Sequence, residues 1–195
     1  MPKVGMEPIR RSALVKATIS EIGAAGTLDV SVSRIARAAG MSSALAHHYF
    51  GSKEQMLVAA MRHILTIFGA EVRGAMQMAH TPQSRIEAIV RASFSSQNFR
   101  AETTAAWLHF YLQAQSSEPT RKLLTIYHHR LRSNLVANFR PLVADPETAA
   151  ETIGSLIDGV YLRQVLRPEA MPKAQAVDLV LAAVHRLITE GQSHR

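Results

Sequence analysis

The chain is 195 residues long, 47% apolar and 19% charged, with 22 Lys+Arg against 15 Asp+Glu and a formal net charge of +7. That composition excludes dominant disorder and, at ~100 to 200 residues per domain, makes one domain or a small one joined to a medium one. The absence of cysteine excludes disulfides, thiolate metal sites and cysteine nucleophiles.

The opening Met1-Pro2-Lys3-Val4-Gly5 lacks the apolar block of a secretory signal, and no run approaches the ~18 uncharged apolar residues of a membrane span. A soluble cytoplasmic protein without a membrane partner is the expectation. Residues 1–62 hold 8 Lys+Arg against 4 Asp+Glu, and residues 63–195 hold 14 against 11. The N-terminal third is therefore the more basic part, which favours a polyanion such as nucleic acid through counterion release. Charge gives a class of partner only, since an RNA binder needs it equally.

Between Pro8 and Pro82 there is no proline, and the later ones punctuate stretches whose apolar residues recur at three and four. No stretch alternates with β-branched enrichment between turn signals. The pattern predicts an all-α chain with helices over approximately 7–25, 31–38, 42–49, 53–79, 82–99, 102–116, 119–140, 146–167 and 173–190. Gly26 follows Leu14, Ala17, Ile22 and Ala25 in helical register and suits the left-handed conformation that closes a helix. Ser31 precedes a helical run and can cap it, and Ser52-Lys53-Glu54-Gln55 matches a capping box in which Gln55 returns a bond to the Ser52 amide.

The segment from Val32 to Phe50 has the anatomy of a helix-turn-helix. Ile35, Ala36, Ala39 and Met41 can face inward, small alanines let two short helices approach, and Gly40 permits the sharp turn. The second helix then offers Ser42, Ser43 and Ala44 outward, short groups that allow close approach to base edges, with His47 and His48 as longer polar reaches. Lys53 stands at a helix N-terminus, where its ammonium and free amides can meet one phosphate, and Arg10 and Arg11 supply a second basic clamp. A single helix-Gly-helix is weak, and solvated arginines beside an ordinary helix end would look similar. The conjunction of two short helices, a basic flank and a capped helix immediately behind is much more specific.

On these residues the chain resembles the TetR family of dimeric bacterial repressors. The resemblance rests on residues 27–57, especially Ile35-Ala36, Ala39-Gly40-Met41-Ser42 and Tyr49-Phe50-Gly51-Ser52-Lys53-Glu54. It narrows to a choline-responsive group that represses glycine betaine synthesis genes, through Met1-Pro2-Lys3-Val4-Gly5-Met6, Ile9-Arg10-Arg11, His48-Tyr49-Phe50, Ala106-Trp107-Leu108, Ser133-Asn134-Leu135-Val136 and Leu156-Ile157-Asp158-Gly159. It implies a helix-turn-helix DNA-binding domain over residues 1–52 and a ligand-binding and dimerisation domain over 53–195. Its partners would be a duplex operator built as an inverted repeat, a second copy of the chain, and choline as inducer. With it, Arg10, Arg11, Ser31, Ser33, Ser42, Ser43, Ala44, His47, His48, Tyr49 and Lys53 become the candidate DNA contacts. Many relatives carry a phosphate-contacting Tyr where His47 stands and a His where Tyr49 stands, so the resemblance does not bring phosphate contacts onto those two positions.

A sensor requires a pocket in the C-terminal body. Trp107, Phe110 and Tyr111 lie within about one turn of a single helix, Tyr127 lies on the next, and Tyr161 follows Asp158 by three. A quaternary ammonium cannot donate a hydrogen bond, so its recognition relies on aromatic faces with a carboxylate for its charge. Trp107, Tyr111, Tyr127, Tyr161 and Asp158 are sufficient parts, although each ring taken alone reads better as core. Asp158 sits in an apolar run where an unpartnered carboxylate is costly, and Arg132 or Arg163 are its alternative partners.

Ile153, Leu156, Ile157 and Val160, with Val177, Val180, Leu181, Val184 and Ile188, form apolar stripes on the last two helices, read here as the dimer surface. An enzyme is the rival class. No two of the nine histidines stand three or four apart, so no helix presents a metal-binding pair, and the nucleophile-elbow, dinucleotide and phosphate-loop motifs are absent. The expectation is no catalytic residue, metal or cofactor. A repressor answering another small molecule, or an all-α interaction module, remains the alternative.

Overall fold

The computed structural model describes residues 5–26, 29–167, 169 and 171–193; residues 1–4 of the opening motif and residues 27–28 of the helix-turn-helix signature lie outside them. The described residues are helical, without a strand: α1 (Met6–Ala25), α2 (Val32–Ala38), α3 (Ser43–Phe50), α4 (Lys53–Gln77), α5 (Pro82–Ser93), α6 (Ala101–Gln113), α7 (Glu118–Phe139), α8 (Pro146–Leu166) and α9 (Lys173–Ser193). None of these helices is long and apolar enough to cross a membrane.

Local chemistry explains most of the boundaries. The side chains of Ser31, Ser42, Ser52, Thr81, Ser117 and Asp145 each accept from an amide three residues on, opening α2, α3, α4, α5, α7 and α8. Gly26 closes α1 at φ 62, and Gly40 makes the turn between α2 and α3 at φ 68, conformations that a Cβ disfavours. At α4 the cap forms without the expected reciprocity: the Ser52 amide bonds the Phe50 carbonyl instead of the Gln55 side chain. The reciprocal box occurs at α5, between Thr81 and Ser84.

The helix expected over 82–99 ends at Ser93, because the next residues are claimed by α4. Glu71 accepts from the Ser95 hydroxyl at 2.7 Å and from the Asn98 amide at 2.6 Å, which folds 94–100 into a turn. Its rings close the core, with Phe94 stacked on Tyr161 at 5.7 Å and Phe99 edge-on at 5.5 Å.

In the N-terminal unit α1 packs on α2, and α2 on α3, over fully buried Leu14, Ile35, Ala36 and Ala46, while Ala39 and Met41 pack at the edge of this core. α4 leaves this unit and runs along the body against α5 and α7; α8 packs on α6, α7 and α9. One close approach joins the halves. A Cβ at Gly23 of α1 would lie 2.4 Å from the Glu102 Cα of α6, so only glycine lets these helices meet here.

The apolar stripes of α8 and α9 turn out to face the core of the single chain. Ile153, Ile157, Val180 and Val184 are fully buried, and Val160, Val177, Leu181 and Ile188 are at most 5% exposed. Leu156 alone of the stripe is half-buried, packed at the core's edge. Each buried Val or Ile side chain stabilises the monomer by about 1.5–3 kcal/mol, so these residues serve the core of the single chain, where an outward-facing stripe was expected. What the outer faces of the two helices present instead is Leu162, Leu166 and Leu179, 43%, 66% and 46% exposed.

Candidate functional site

Two sets of residues carry chemistry. The first is on α3 and its flanks. Ser42, Ala44, His47 and His48 are exposed along one short helix, with Ser43 and Tyr49 half-buried. Ser43 donates to Ser33 of α2 at 2.9 Å, which locks the relative rotation of the two helices. Ser31 and Ser42 spend one acceptor position each on their caps, at 3.2 Å from the Arg34 and Leu45 amides, and keep their hydroxyl protons for an outside acceptor. His47 Nδ1 lies 3.2 Å from the Gly51 carbonyl, which orients its ring back along α3.

The basic groups divide in role. Lys53 stands at the first position of α4, a third exposed, with its ammonium 3.6 Å from the exposed carboxylate of Asp29. Arg11 is drawn inward instead: its guanidinium donates to the Tyr49 carbonyl and lies 4.6 Å over the Phe50 ring. Arg11 thereby clamps the end of α3 to α1. Arg10, its neighbour, is half-exposed beside it.

The second set is in the body, and there the fold brings together residues from three helices. Trp107 of α6 meets Tyr127 of α7 at 4.8 Å, Tyr111 at 5.9 Å and Tyr161 of α8 at 6.2 Å between ring centroids. Phe110 is buried on the same helix but stacks on none of these rings among the described residues. Asp158 is the polar focus. It accepts from the Tyr111 hydroxyl at 2.9 Å and the Tyr127 hydroxyl at 3.4 Å, and His128 Nε2 lies 3.3 Å from its other oxygen. Neither arginine expected from the sequence is its partner: Arg132 pairs with Glu147.

Burial first, and the Asp158 charge second, push the Tyr111, Tyr127 and Tyr161 hydroxyls well above the usual tyrosine range, so all three remain donors. Asp158 is reached from outside through a cleft of about 350 Å³ between α7 and α8, beside His128, Gly154 and Ser155. The rings themselves close on one another, with Trp107, Tyr127 and Tyr161 at most 7% exposed.

Three contributors escaped the sequence. His128 stacks on Tyr111 at 6.3 Å while holding Asp158, and no spacing in the sequence singles it out among the nine histidines. Asn98 and Glu71 connect the rings to α4: the Tyr161 hydroxyl donates to the Ser93 carbonyl and lies 3.4 Å from that of Asn98, whose side chain donates to Glu71. No short-range pattern marks such contacts. Among the described residues no group of three His or carboxylate side chains could hold a metal.

Residues 14–60 match the family model for bacterial regulatory proteins of the tetR family, and residues 82–189 match that of the BetI-type transcriptional repressor C-terminal domain. The HTH-type transcriptional regulator BetI of Rhizobium meliloti (strain 1021) is 53% identical over 169 residues, 86% of this chain and 83% of that one. Among solved structures, a transcriptional regulator from Pseudomonas aeruginosa PAO1 superposes with a TM-score of 0.80 at 27% identity, covering 93% of this chain and 91% of that one. A regulator from Saccharomonospora viridis, in complex with choline, has the same fold with a TM-score of 0.79 at 16% identity over 91% and 96% of the two chains. With both the N-terminal and the C-terminal parts matched, the chain belongs to the TetR family and is a DNA-binding transcriptional repressor, not an enzyme.

Proposed function

We propose that this repressor acts in the cytoplasm as a two-fold dimer on an inverted-repeat operator of glycine betaine synthesis genes, and that choline or a close quaternary ammonium releases it. The observation that carries the inducer is the convergence of Trp107, Tyr111, Tyr127 and Tyr161 around Asp158. A permanently charged cation that cannot donate gains most from π faces and one carboxylate. The choline bound to the S. viridis regulator and the BetI name of the R. meliloti relative support the same ligand class.

Ring centroids 4.8–6.2 Å apart leave no room for a trimethylammonium group, so the rings must part for it to enter. That requirement supplies the linkage, because a ligand shifts an equilibrium only if it prefers one state. Two routes lead outward. α6 carries Trp107 and Tyr111 and touches α1 at Gly23. Tyr161 reaches α4 through the 93–98 turn and Glu71. Both α1 and α4 frame the helix-turn-helix, the unit we assign to residues 1–52.

Two recognition helices in successive major grooves must lie about 34 to 36 Å apart. The outer stripe of Leu162, Leu166 and Leu179 is the surface we assign to the dimer that sets this spacing. Choline titrated calorimetrically into the dimer, with footprints of the DNA upstream of its own gene, tests the reading. Binding that Asp158→Asn weakens, with release of a symmetric footprint, is expected. An absence of choline binding overturns the inducer, and a footprint on a single asymmetric half-site overturns the dimer.

A further inference from the structure

Between α4 and α7 lies a cleft of about 690 Å³, within the range of small-molecule sites. Its floor is apolar, formed by Leu65, Phe68 and Val72 of α4 with Leu123 and Ile126 of α7. Gly69 deepens it, and the Arg73 guanidinium lies across that glycine, 3.3 Å from where a Cβ would stand. Three arginines, Arg62, Arg73 and Arg130, reach its wall, and no Asp or Glu lines it. None of the three has a carboxylate within salt-bridge distance among the described residues, whereas Arg132 and Lys122 of the same α7 are paired with Glu147 and Glu118.

We propose that this cleft is a second ligand site, for an amphipathic anion: a carboxylate or phosphate monoester on an apolar chain. Unpaired guanidiniums beside an apolar floor repel a cation and match an anionic head with a hydrophobic body, since guanidinium forks bind carboxylate and phosphate alike. The site is distinct from the aromatic cage but shares a wall with it. Tyr127 lines the cleft, meets Phe68 edge-on at 5.5 Å, and on its other side packs against Trp107. An occupant also rests on α4, the helix that begins at Lys53, directly after the DNA-binding unit.

Calorimetry on the full-length protein without DNA tests this, with decanoate and decyl phosphate as probes and inorganic phosphate as the head alone. Saturable binding of at least one amphiphile at one site per chain is expected, and the stronger arm identifies the head group. Arg130→Gln and Arg73→Gln should each weaken it about tenfold, the order of a lost charge-assisted bond. Gly69→Leu fills the floor without changing charge and favours the helix, so it should abolish binding while the thermal midpoint is retained. The proposal is overturned if neither amphiphile saturates, if inorganic phosphate binds as tightly as decyl phosphate, or if the arginine variants or a folded Gly69→Leu bind unchanged.

Discussion

The helix we assign to operator reading and the aromatic cage we assign to choline face opposite constraints. α3 is eight residues long and, with its cap Ser42, exposes Ala44, His47 and His48, as a helix proposed to meet base edges requires. The cage hides Trp107, Tyr127 and Tyr161 at 7% exposure or less and leaves Tyr111 half-buried, drawing two of its rings from positions 47 and 31 residues from Asp158 in the chain. Substitutions on the first surface should change what is bound without touching the fold. Substitutions in the second should do both, because the residues that would hold the ligand are also core.

The largest effect expected is on the cage side. Trp107→Ala removes a ring that is 5% exposed and should lower unfolding free energy by about 3–5 kcal/mol, alongside loss of the choline response. Thermal unfolding and choline-driven operator release, measured on the same preparation, check both. A variant that lost the response at unchanged stability would show that the cage is not core, and the contrast between the two regions would fail.

Gly23→Ala tests the contact between them. A Cβ there meets backbone, which cannot yield as a flexible side chain would, so α1 and α6 must separate at about 1–3 kcal/mol. Operator affinity should change while choline affinity of the free protein stays within about twofold, since the substitution lies outside the rings. Gel shifts and calorimetry separate the two; unchanged operator affinity would rule out this route of coupling.

On the DNA side, Lys53→Ala should weaken all duplexes alike and lower the salt slope by about one unit. Replacing His48 should instead change preference among operators by about 1–3 kcal/mol per lost base contact. Titrations at several salt concentrations on operator and random duplex check both. A Lys53 variant with altered base preference and an unaltered salt slope would reverse the docking.

The smallest effect concerns pH. Burial, and then the charge of Lys16, hold His63 of α4 below the ordinary histidine range. As pH falls below about 6.5 the unfolded chain takes up this proton first, so stability present above that pH declines as the folded value is passed. His63→Gln should flatten the decline of the thermal midpoint in that window. An unchanged slope would place the pH dependence elsewhere.

Helix placement and the exposed side of α3 were legible from sequence because their causes lie within a few residues: hydroxyls three positions before an amide, glycine at Gly26 and Gly40, alanines where α2 meets α3. The residue types of the cage were legible too, as the aromatic and carboxylate chemistry a quaternary ammonium requires. The tertiary structure alone decided their partners. Apolar periodicity marks a face to be covered without saying what covers it, so the α8 and α9 stripes could belong to a partner or, as found, to the chain's own core. In the same way the end of α5 depended on Glu71, a carboxylate 24 residues before Ser95, and Asp158 found His128 in place of an arginine. Contacts across such distances depend on how whole helices pack, and short-range spacing carries no record of that.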